Sequence, residues 1–261
     1  MKHRGRQWES VYNDLLRYQT ELSFDLEQGF FCASDAWYNA KNVLDFGSGN
    51  AYYSKKLANH YPEKKFFCID KNPKLNKIAK KDSSSNQVKI ISGSLDQLEK
   101  MVDIDFVFTR HTLSYLSDQE RERFFTWFVK KTNKKSALLV IDADDDAFFV
   151  YPPLPLLEGG NKKFQEELKK TGGNRSLLEK IGREWKKPGL LNKWARPLVV
   201  HSALSGRKYL MGMFMKAVAE IDHGSPLPEA VREEIDGWEK NHMSYLQYGL
   251  FGSLFQKGEK M

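Results

Sequence analysis

Short, mainly apolar runs alternate with longer amphipathic segments along the first half of the chain. Residues 43–46 form one such run, residues 50–61 carry apolar side chains at helical spacing, and residues 65–69 form a second run. This order predicts a strand, a helix and a second strand. Such a unit forms a parallel strand pair with a right-handed crossover, and its ligand binds beyond the carboxyl ends of the strands.

The same alternation continues to about residue 142. Asn72 and Pro73 have the residue types that begin a helix, which predicts a helix over residues 72–81. The pattern further predicts a third strand at 87–93, a fourth at 104–110, an amphipathic helix at 119–132 and a fifth strand with a polar end at 136–146. Alternating strands and helices are typical of a mostly parallel sheet that is covered on both faces.

Residues outside this region predict additional helices and two more strands. Residues 6–38 have near-helical apolar spacing, in which Trp8, Tyr12 and Leu22 take part. After the fifth strand we expect a proline-rich loop at 152–160, a helix at 176–187, a sixth strand at about 195–203, helices at about 207–222 and 227–240, and a last, antiparallel strand at 245–258 at or near an edge.

The expected fold class is therefore α/β. It comprises a seven-stranded, mostly parallel, doubly wound sheet with helices on both faces, an N-terminal helical extension and a helical insertion before the last strand. A chain of 261 residues without a linker or an internal repeat is expected to form a single domain. We divide it into an N-terminal helical cap at 1–40, a cofactor-binding half at 41–145 and a substrate-side half at 146–261, with the insertion at about 205–243.

Charge and composition favour a protein that acts on a small molecule away from membranes. The net charge is +7, but lysines alternate with acidic residues along exposed helix faces, so nucleic acid is not an expected partner. There is no apolar run of the roughly 20 residues that span a bilayer and no signal-like N-terminus, so we expect a cytoplasmic protein without membrane association. Cys32 and Cys68 are expected to be buried thiols, because neither has a CxxC neighbour.

The turn after the first strand contains Gly47 and Gly49, which permit close approach of a ligand to the backbone. A P-loop would require GxxxxGK[ST], which is absent. The dinucleotide fingerprint GxGxxG would require a third glycine where this chain has Tyr52. Nicotinamide and flavin dinucleotides are therefore disfavoured, although not excluded.

The stretch "VLDFGSGNA" resembles the motif of class I S-adenosylmethionine-dependent methyltransferases, an acid followed by GxGxG or GxGxA. The resemblance continues through "FFCID", "IISGSL" and "FVFTRHTLSYL" at the next three strands and covers about residues 40–145. It implies S-adenosylmethionine as the cofactor and methyl transfer as the reaction.

The resemblance also implies roles for particular residues. Asp70 would accept hydrogen bonds from the ribose hydroxyls, and Asp45 would lie near the methionine ammonium group. Many members have an acid after the third strand that contacts the adenine amine, where this chain has Ser94 and Leu95. The expected cofactor-binding residues are Asp45, Gly47, Ser48, Gly49, Asp70, Lys71, Ser94, Leu95, Thr109 and Arg110.

Missing motifs restrict the methyl acceptor. The [DNS]PP[YFW] motif of DNA amine methylation is absent after the fourth strand, and no cysteine is placed there to attack a cytosine ring. The acids at 142–146 could supply only half of a divalent-cation site, because Thr109 and Arg110 provide no carboxylate. We therefore expect no metal ion and a small-molecule acceptor with an oxygen or nitrogen nucleophile.

Methyl transfer from a sulfonium depends mainly on proximity and alignment, with help from a general base where the nucleophile is a hydroxyl. The candidate catalytic residues are His111, Tyr115, Tyr151 and His201, and we expect Tyr115, Asp142, Asp144 and Tyr151 to lie on loops that face the sulfonium. We place the acceptor pocket between the N-terminal helices, the loops after the fourth and fifth strands, and the inserted helices.

The alternatives are an RNA or protein methyltransferase and a cofactor-binding but inert partner subunit; the oligomeric state stays open.

Overall fold

Seven strands form one sheet in the order β3-β2-β1-β4-β5-β7-β6. The computed structural model describes residues 5–81, 86–175, 181, 187–203, 206–223 and 226–258. The strands are β1 Asn42–Phe46, β2 Lys65–Asp70, β3 Val88–Ser92, β4 Phe106–Arg110, β5 Ala137–Tyr151, β6 Leu190–His201 and β7 Tyr245–Lys257. Strands β1 to β5 pair in parallel, and β7 is antiparallel to both β5 and β6. This arrangement confirms the expected seven-stranded, mostly parallel sheet.

Helices lie before and between these strands. They are α1 Gly5–Cys32, α2 Asp35–Asn39, α3 Tyr52–His60, α4 Pro73–Lys81, α5 Leu95–Leu98, α6 Asp118–Lys131, α7 Pro155–Lys170, α8 Arg207–His223 and α9 Glu229–Lys240. The Asn72 side chain caps α4, because its Oδ1 accepts hydrogen bonds from the backbone N–H groups of Lys74 and Leu75. The N-terminal helical extension and the helices before the last strand are both confirmed.

The region after the fifth strand differs from the expectation. Strand β5 continues to Tyr151 because β7 pairs with it on both sides of an irregularity between Asp144 and Phe149. The expectation that Asp142, Asp144 and Tyr151 lie on loops is therefore wrong. The expected loop at 152–160 is also wrong, since Pro155 begins α7, where its missing N–H group is tolerated. The helix expected at 176–187 lies outside the described residues, apart from Ile181 and residue 187.

Buried side chains cover the sheet on both faces. Phe31 and Trp37 from α1 and α2 pack with Phe106 and Phe108 of β4 on one face. On the other face the covering residues come mainly from α6, including Phe124, Phe125 and Phe128. A third cluster joins α8 and α9 to β5, β6 and β7, so the inserted helices cover the long antiparallel part of the sheet.

The two cysteines have different environments. Cys68 on β2 is fully buried, whereas Cys32, the last residue of α1, is exposed. The expectation of two buried thiols is thus wrong for Cys32, because the end of α1 turns one side towards solvent. Within the described ranges, no helix combines the length and the apolar character needed to cross a bilayer.

Lys64 connects α2 to the sheet. Its side chain carries a charge but is only 1% exposed. Its ammonium group donates hydrogen bonds to the backbone oxygens of Trp37 at 2.8 Å and Ala40 at 2.9 Å. It also lies 4.9 Å from the ring centroid of Trp37, a cation–π contact. Charge-assisted bonds to carbonyl groups compensate for the loss of water around the buried ammonium.

We predict that Lys64→Met lowers the free energy of unfolding by about 1–3 kcal/mol, because the aliphatic stem is kept while the carbonyl groups of Trp37 and Ala40 each lose a charge-assisted hydrogen bond. Urea unfolding measures this difference. The control is Lys65→Met at the neighbouring exposed position, which should change the value by less than about 0.5 kcal/mol. Equal effects of the two substitutions would contradict a structural role for the Lys64 charge.

Candidate cofactor and acceptor site

The glycine turn after β1 has a backbone that requires glycine at two positions. Gly47 has φ +82° and Gly49 has φ +58°, both in the left-handed region. A Cβ atom on Gly47 would lie 2.1 Å from Thr112 Oγ1, and one on Gly49 would lie 2.7 Å from a methyl group of Leu16. The N–H groups of Gly47 and Ser48 both donate to the Ile69 oxygen, which ties the turn to β2. The turn is therefore held open between α1 and the segment after β4.

Asp70 ends β2 beside this turn. Its carboxylate accepts hydrogen bonds from Gly49 N at 2.8 Å and from Asn72 N at 2.7 Å. A carboxylate has about four acceptor positions, so two positions remain after these backbone bonds. The two bonds orient the group, and the remaining positions are free to receive a diol.

Asp45 lies on β1 and is 2% exposed. Its Oδ2 accepts a hydrogen bond of 2.6 Å from the Ser54 hydroxyl on α3. Burial raises the pKa of Asp45 to about 7, partly offset by this hydrogen bond. The group therefore changes charge near neutral pH directly beneath the glycine turn.

The N-terminal half of α1 covers the turn. Asn13 accepts a hydrogen bond of 2.8 Å from Asn50, Glu21 accepts one of 2.5 Å from Tyr52, and Glu9 forms an ion pair with Lys74. Tyr12 lies close to Tyr115 and Asp70: burial raises its pKa most, and these two neighbours raise it further. Tyr12 is thus a candidate site residue that sequence reasoning assigned only to helical packing, since its spacing alone carries no sign that Asp70 lies near enough to act on its pKa.

Arg110 joins the end of β4 to α1. Its Nε donates to both oxygens of Glu27, at 2.8 and 3.1 Å, and its Nη2 donates to Ser23 Oγ at 2.9 Å. Glu27 is fully buried; burial alone would raise its pKa, but Arg110 lowers it overall. The guanidinium also lies 4.7 Å from the ring centroid of Tyr53. The positive charge of Arg110 is consequently matched inside the protein.

His111 follows directly and has φ +50°, a strained value for a residue with a Cβ atom. Its N–H donates to the Ile141 oxygen, and its Nδ1 lies 3.8 Å from Asp142 Oδ1. Its Nε2 is buried and has no hydrogen-bond partner among the described residues. Burial and, second, the positive charge of Arg110 lower the pKa of His111, which keeps the imidazole neutral at pH 7.

Asp142 is held in place from three directions. Its carboxylate accepts hydrogen bonds from Ser114 N at 3.0 Å, from Ser114 Oγ at 2.8 Å and from Ala143 N at 3.0 Å. These bonds join β5 to the short helical turn at 113–115, which carries Tyr115. His111, Asp142 and Tyr115 thus come together where β4 and β5 end their parallel pairing.

The other two catalytic candidates lie elsewhere. Tyr151 pairs with Tyr245 and His201 pairs with Gln247 at the far end of the long antiparallel strands. The ring of His201 stacks on Tyr245 at 6.1 Å. Because Val150 and Leu246 face the buried side of these strands, Tyr151 and His201 face the opposite side. The structure does not bring them to His111.

The remaining cofactor candidates occupy the ends of β2, β3 and β4. Ser94 precedes α5, and its N–H donates to Asp96 Oδ1 at 3.0 Å. Leu95 is buried, and Lys71 is exposed. Thr109 is fully buried, with an Oγ1 atom that has no partner among the described residues.

Several buried polar atoms without a partner surround this edge of the sheet. Within the described ranges they are Ser48 Oγ, Thr109 Oγ1 and His111 Nε2. Buried polar atoms in proteins are almost always hydrogen-bonded. Their concentration around the ends of β1 and β4 is what a site for polar ligands requires.

Comparison with known proteins identifies part of the chain. Residues 43–134 match the family model described as a methyltransferase domain. No curated protein matches the sequence significantly.

Solved structures share the fold at low sequence identity. A SAM-dependent methyltransferase from Anabaena variabilis is 13% identical and has a TM-score of 0.56, with 96% of this chain and 93% of that one covered. An O-methyltransferase from a trans-AT polyketide synthase of Brevibacillus brevis, in complex with S-adenosyl-L-homocysteine, is 15% identical with a TM-score of 0.50, covering 94% and 75%. The mitomycin 7-O-methyltransferase is 20% identical, with a TM-score of 0.47. The match covers 65% of this chain but only about half, 49%, of that protein.

We predict that ionisation of Asp45 weakens the fold as pH rises. Its folded-state pKa of about 7 lies above the ordinary value of 3.8, so the folded state holds the proton more tightly than the unfolded state. The free energy of unfolding therefore falls as the pH rises from about 3.8 to about 7. Between pH 5 and pH 8 this contribution is about 3 kcal/mol. Urea unfolding at both pH values should show a fall that is absent in Asp45→Asn, whereas the exposed control Asp25→Asn behaves like the parent. Parallel pH profiles of parent and Asp45→Asn would contradict the prediction.

The site fits an S-adenosyl cofactor in its donor and acceptor groups. The turn at 47–49 leaves no room for side chains, Asp70 has carboxylate positions for a diol, and unpartnered polar atoms line the edge beside it. Residues 43–134 match the methyltransferase-domain model, and the chain shares its fold with a SAM-dependent methyltransferase of known structure.

Proposed function

We propose that the protein transfers the methyl group of S-adenosylmethionine to an oxygen or nitrogen atom of a small molecule, without a metal ion. The observation that supports this most is the pairing of two features at one edge of the sheet. Asp70 and the glycine turn lie at the ends of β1 and β2, and the His111–Asp142 pair lies beside them at the ends of β4 and β5. The first suits a cofactor, and the second suits a reacting acceptor.

On the cofactor side, Asp70 would hold the ribose hydroxyls while its two backbone bonds keep the carboxylate oriented. Leu95 would pack against the adenine ring, with Ser94 next to it. Leu16 of α1 lies beside Gly49 and would cover the cofactor from that side, and Tyr12 lies one turn earlier on the same helix. Asp45 would lie near the methionine ammonium group of the cofactor. Binding of that positive charge would favour the charged form of the Asp45 carboxylate.

On the acceptor side, the sulfonium supplies a methyl group that is already activated for displacement. The chain has to hold the nucleophile in line and exclude water. His111 is neutral at pH 7 and has an unpartnered Nε2, so it can take the proton of an attacking hydroxyl. Asp142 lies on the Nδ1 side and would stabilise the imidazolium that forms. Tyr115 is the second candidate contact, and we assign no contact with the methyl group to Tyr151 or His201.

A small acceptor suits the surroundings of this edge. α1 covers it from the cofactor side, and α8 packs extensively against α1. Surface charge consists of dispersed lysines and acids, which differs from the continuous basic face that nucleic acids require. The Brevibacillus brevis protein of the same fold is an O-methyltransferase, which agrees with an oxygen acceptor here.

We predict that Asp70→Ala weakens binding of S-adenosylmethionine and S-adenosylhomocysteine by about 1.5–3 kcal/mol, the scale of hydrogen bonds to a charged group. Isothermal titration calorimetry measures this loss. Asp25→Ala removes an exposed acid from α1 and should leave the affinity unchanged. Binding of NADH or FAD by the parent protein without binding of S-adenosylmethionine would contradict the assignment.

We predict that His111→Gln lowers the methyl-transfer rate by about 10²–10⁴-fold for a hydroxyl acceptor, since general-base catalysis contributes on this scale. Cofactor affinity should change little. The ordinary pKa of histidine is 6.5, and that of His111 is lower. The parent should therefore keep its activity when the pH falls below 6.5. His242→Gln alters an exposed histidine and serves as the control. A rate within threefold of the parent would remove His111 from the mechanism and leave alignment alone.

We predict that methyl transfer survives EDTA, because Arg110 at the end of β4 is paired with Glu27, and Asp142 and Asp145 are already bound to Ser114 and Arg175. Production of S-adenosylhomocysteine, followed by mass spectrometry with cell extract as the acceptor source, measures the activity. Loss of activity on chelation and its recovery with Mg²⁺ would contradict this prediction and would indicate that the acids at 142–146 bind a divalent metal ion.

A further inference from the structure

We propose that Tyr115, Phe164 and Asp222 form a site for an ammonium group of the methyl acceptor. The inference rests on the proposed function and names the class of acceptor. It is a small molecule that carries the hydroxyl nucleophile at one end and an alkylammonium group at the other.

Aromatic side chains from two elements form the wall of this site. Tyr115 belongs to the short helical turn at 113–115, Phe164 lies on α7, and their ring centroids are 6.4 Å apart. Arg175 lies 6.0 Å from the centroid of the Phe164 ring, and its Nη2 forms an ion pair of 3.0 Å with Asp145. The positive charge of Arg175 is therefore already matched by an acid of β5.

Asp222 lies on α8, above the sheet edge and directly against α7. A Cβ atom on Gly160 would lie 3.3 Å from the Cβ atom of Asp222, so the two helices touch at this point. Gly160 and Phe164 are four positions apart on α7 and share one face of that helix. Asp222 is also one of the acids that raise the pKa of Tyr115, after burial as the main cause. The side chains of Phe164 and Asp222 are half-buried, which leaves a ligand access to both.

The Oδ2 atom of Asp222 is buried and has no hydrogen-bond partner in the part of the chain that the structure describes. The first turn of α7 does not use this carboxylate, because Leu156 N and Leu157 N donate to Glu234 at 3.1 and 3.0 Å. The end of α8 is held on α7 by the next residue, His223, whose Nε2 lies 3.2 Å from Leu156 O. The contacts between the two helices thus leave the Asp222 carboxylate unused.

A carboxylate oxygen that is buried without a partner weakens a fold, because it has lost water and gained no protein contact in return. Burial raises the pKa of Asp222 to about 6, and the positive charge of Arg175 offsets part of this rise. The group is therefore mainly ionised at pH 8. A ligand that brings a cation supplies the partner that the fold does not provide.

An ammonium group suits all three side chains of the site. It donates charge-assisted hydrogen bonds to a carboxylate, and the faces of aromatic rings attract cations. An anionic group would meet two acids, Asp145 and Asp222, of which Arg175 offsets only one. A neutral group would leave the charge of Asp222 uncompensated.

A series of contacts connects this site to the candidate base. Asp142 Oδ1 lies 3.8 Å from His111 Nδ1 and accepts a hydrogen bond of 2.8 Å from the Ser114 hydroxyl. Tyr115, which begins the aromatic wall, directly follows Ser114 in the chain. An acceptor thus directs its hydroxyl towards His111 while its ammonium group lies between Tyr115 and Asp222. Because the ammonium stays protonated there, it serves for recognition and the hydroxyl is the nucleophile.

Three phenols of similar size test the charge preference. The para side chain is cationic in tyramine, neutral in 4-(2-hydroxyethyl)phenol and anionic in 4-hydroxyphenylacetate. Calorimetry at pH 8 on the full chain saturated with S-adenosylhomocysteine should show tyramine binding at least tenfold more tightly than either of the others. Equal or tighter binding of the neutral or the anionic phenol, or no binding of tyramine, would overturn the proposal.

Substitutions test the side chains of the site. Asp222→Asn should weaken tyramine about tenfold and remove its advantage over the neutral phenol, and Phe164→Leu should weaken tyramine about threefold. Both variants should keep S-adenosylhomocysteine affinity within twofold of the parent. The control Asp25→Asn removes an exposed acid of α1 and should leave tyramine affinity unchanged. Unchanged tyramine affinity in either test variant, or an equal loss in Asp25→Asn, would overturn the proposal.

A stability measurement separates a ligand site from a structural one. The urea midpoint of Asp222→Asn at pH 8 should equal or exceed that of the parent, because the buried carboxylate oxygen has no partner among the described residues. The control is Asp145→Asn, which loses the ion pair with Arg175 and should lower the midpoint. A lower midpoint for Asp222→Asn would overturn the proposal. Failure of S-adenosylhomocysteine to bind the parent would instead contradict the proposed function itself.

Discussion

The buried ion pair between Arg110 and Glu27 joins the two parts from which the site is built. Arg110 ends a central strand of the sheet, and Glu27 belongs to a helix that precedes the sheet in the chain. The pair fixes α1 over the end of β4, together with the buried side chain of Phe31 and the hydrogen bonds of Asn13 and Glu21 to Asn50 and Tyr52. Breaking one partner of a buried pair leaves an uncompensated charge, which is strongly destabilising. The pair therefore helps to determine the position of α1 and also stabilises the fold.

Charge at this edge is arranged as local pairs. Arg110 is matched by Glu27, and Arg175 lies 3.0 Å from Asp145. In the described part of the chain, the buried polar atoms without a partner at this edge belong to neutral groups, namely Ser48, Thr109 and His111. At the sheet edge, the neutral groups are thus the ones free to act on an acceptor, while the ionic groups hold the elements in position.

Features set by local sequence were predictable. The strand–turn–helix unit, the Asn72 cap and the glycines at positive φ all follow from residues close together in the chain. The extension of β5 was not predictable from "DADDDAFFVY", because its polar residues suggest a strand end and only the remote strand β7 supplies the pairing. Likewise, Glu27 resembles any acid on an amphipathic helix, and its partner lies 83 positions away. His111 and Tyr115 could be named from their position after β4, whereas the separation of Tyr151 and His201 required the register of β5, β6 and β7.

The central claim is that the carboxyl edge of β1, β2 and β4 binds the cofactor beneath α1. Hydrogen–deuterium exchange followed by mass spectrometry, with and without S-adenosylhomocysteine, tests this claim most directly because it reports where the backbone is protected. The account predicts slower exchange in peptides that cover residues 8–20, 46–54, 70–76 and 93–97, with little change in α9 or at the far end of β6. Protection confined to other segments, or none at saturating S-adenosylhomocysteine, would contradict it.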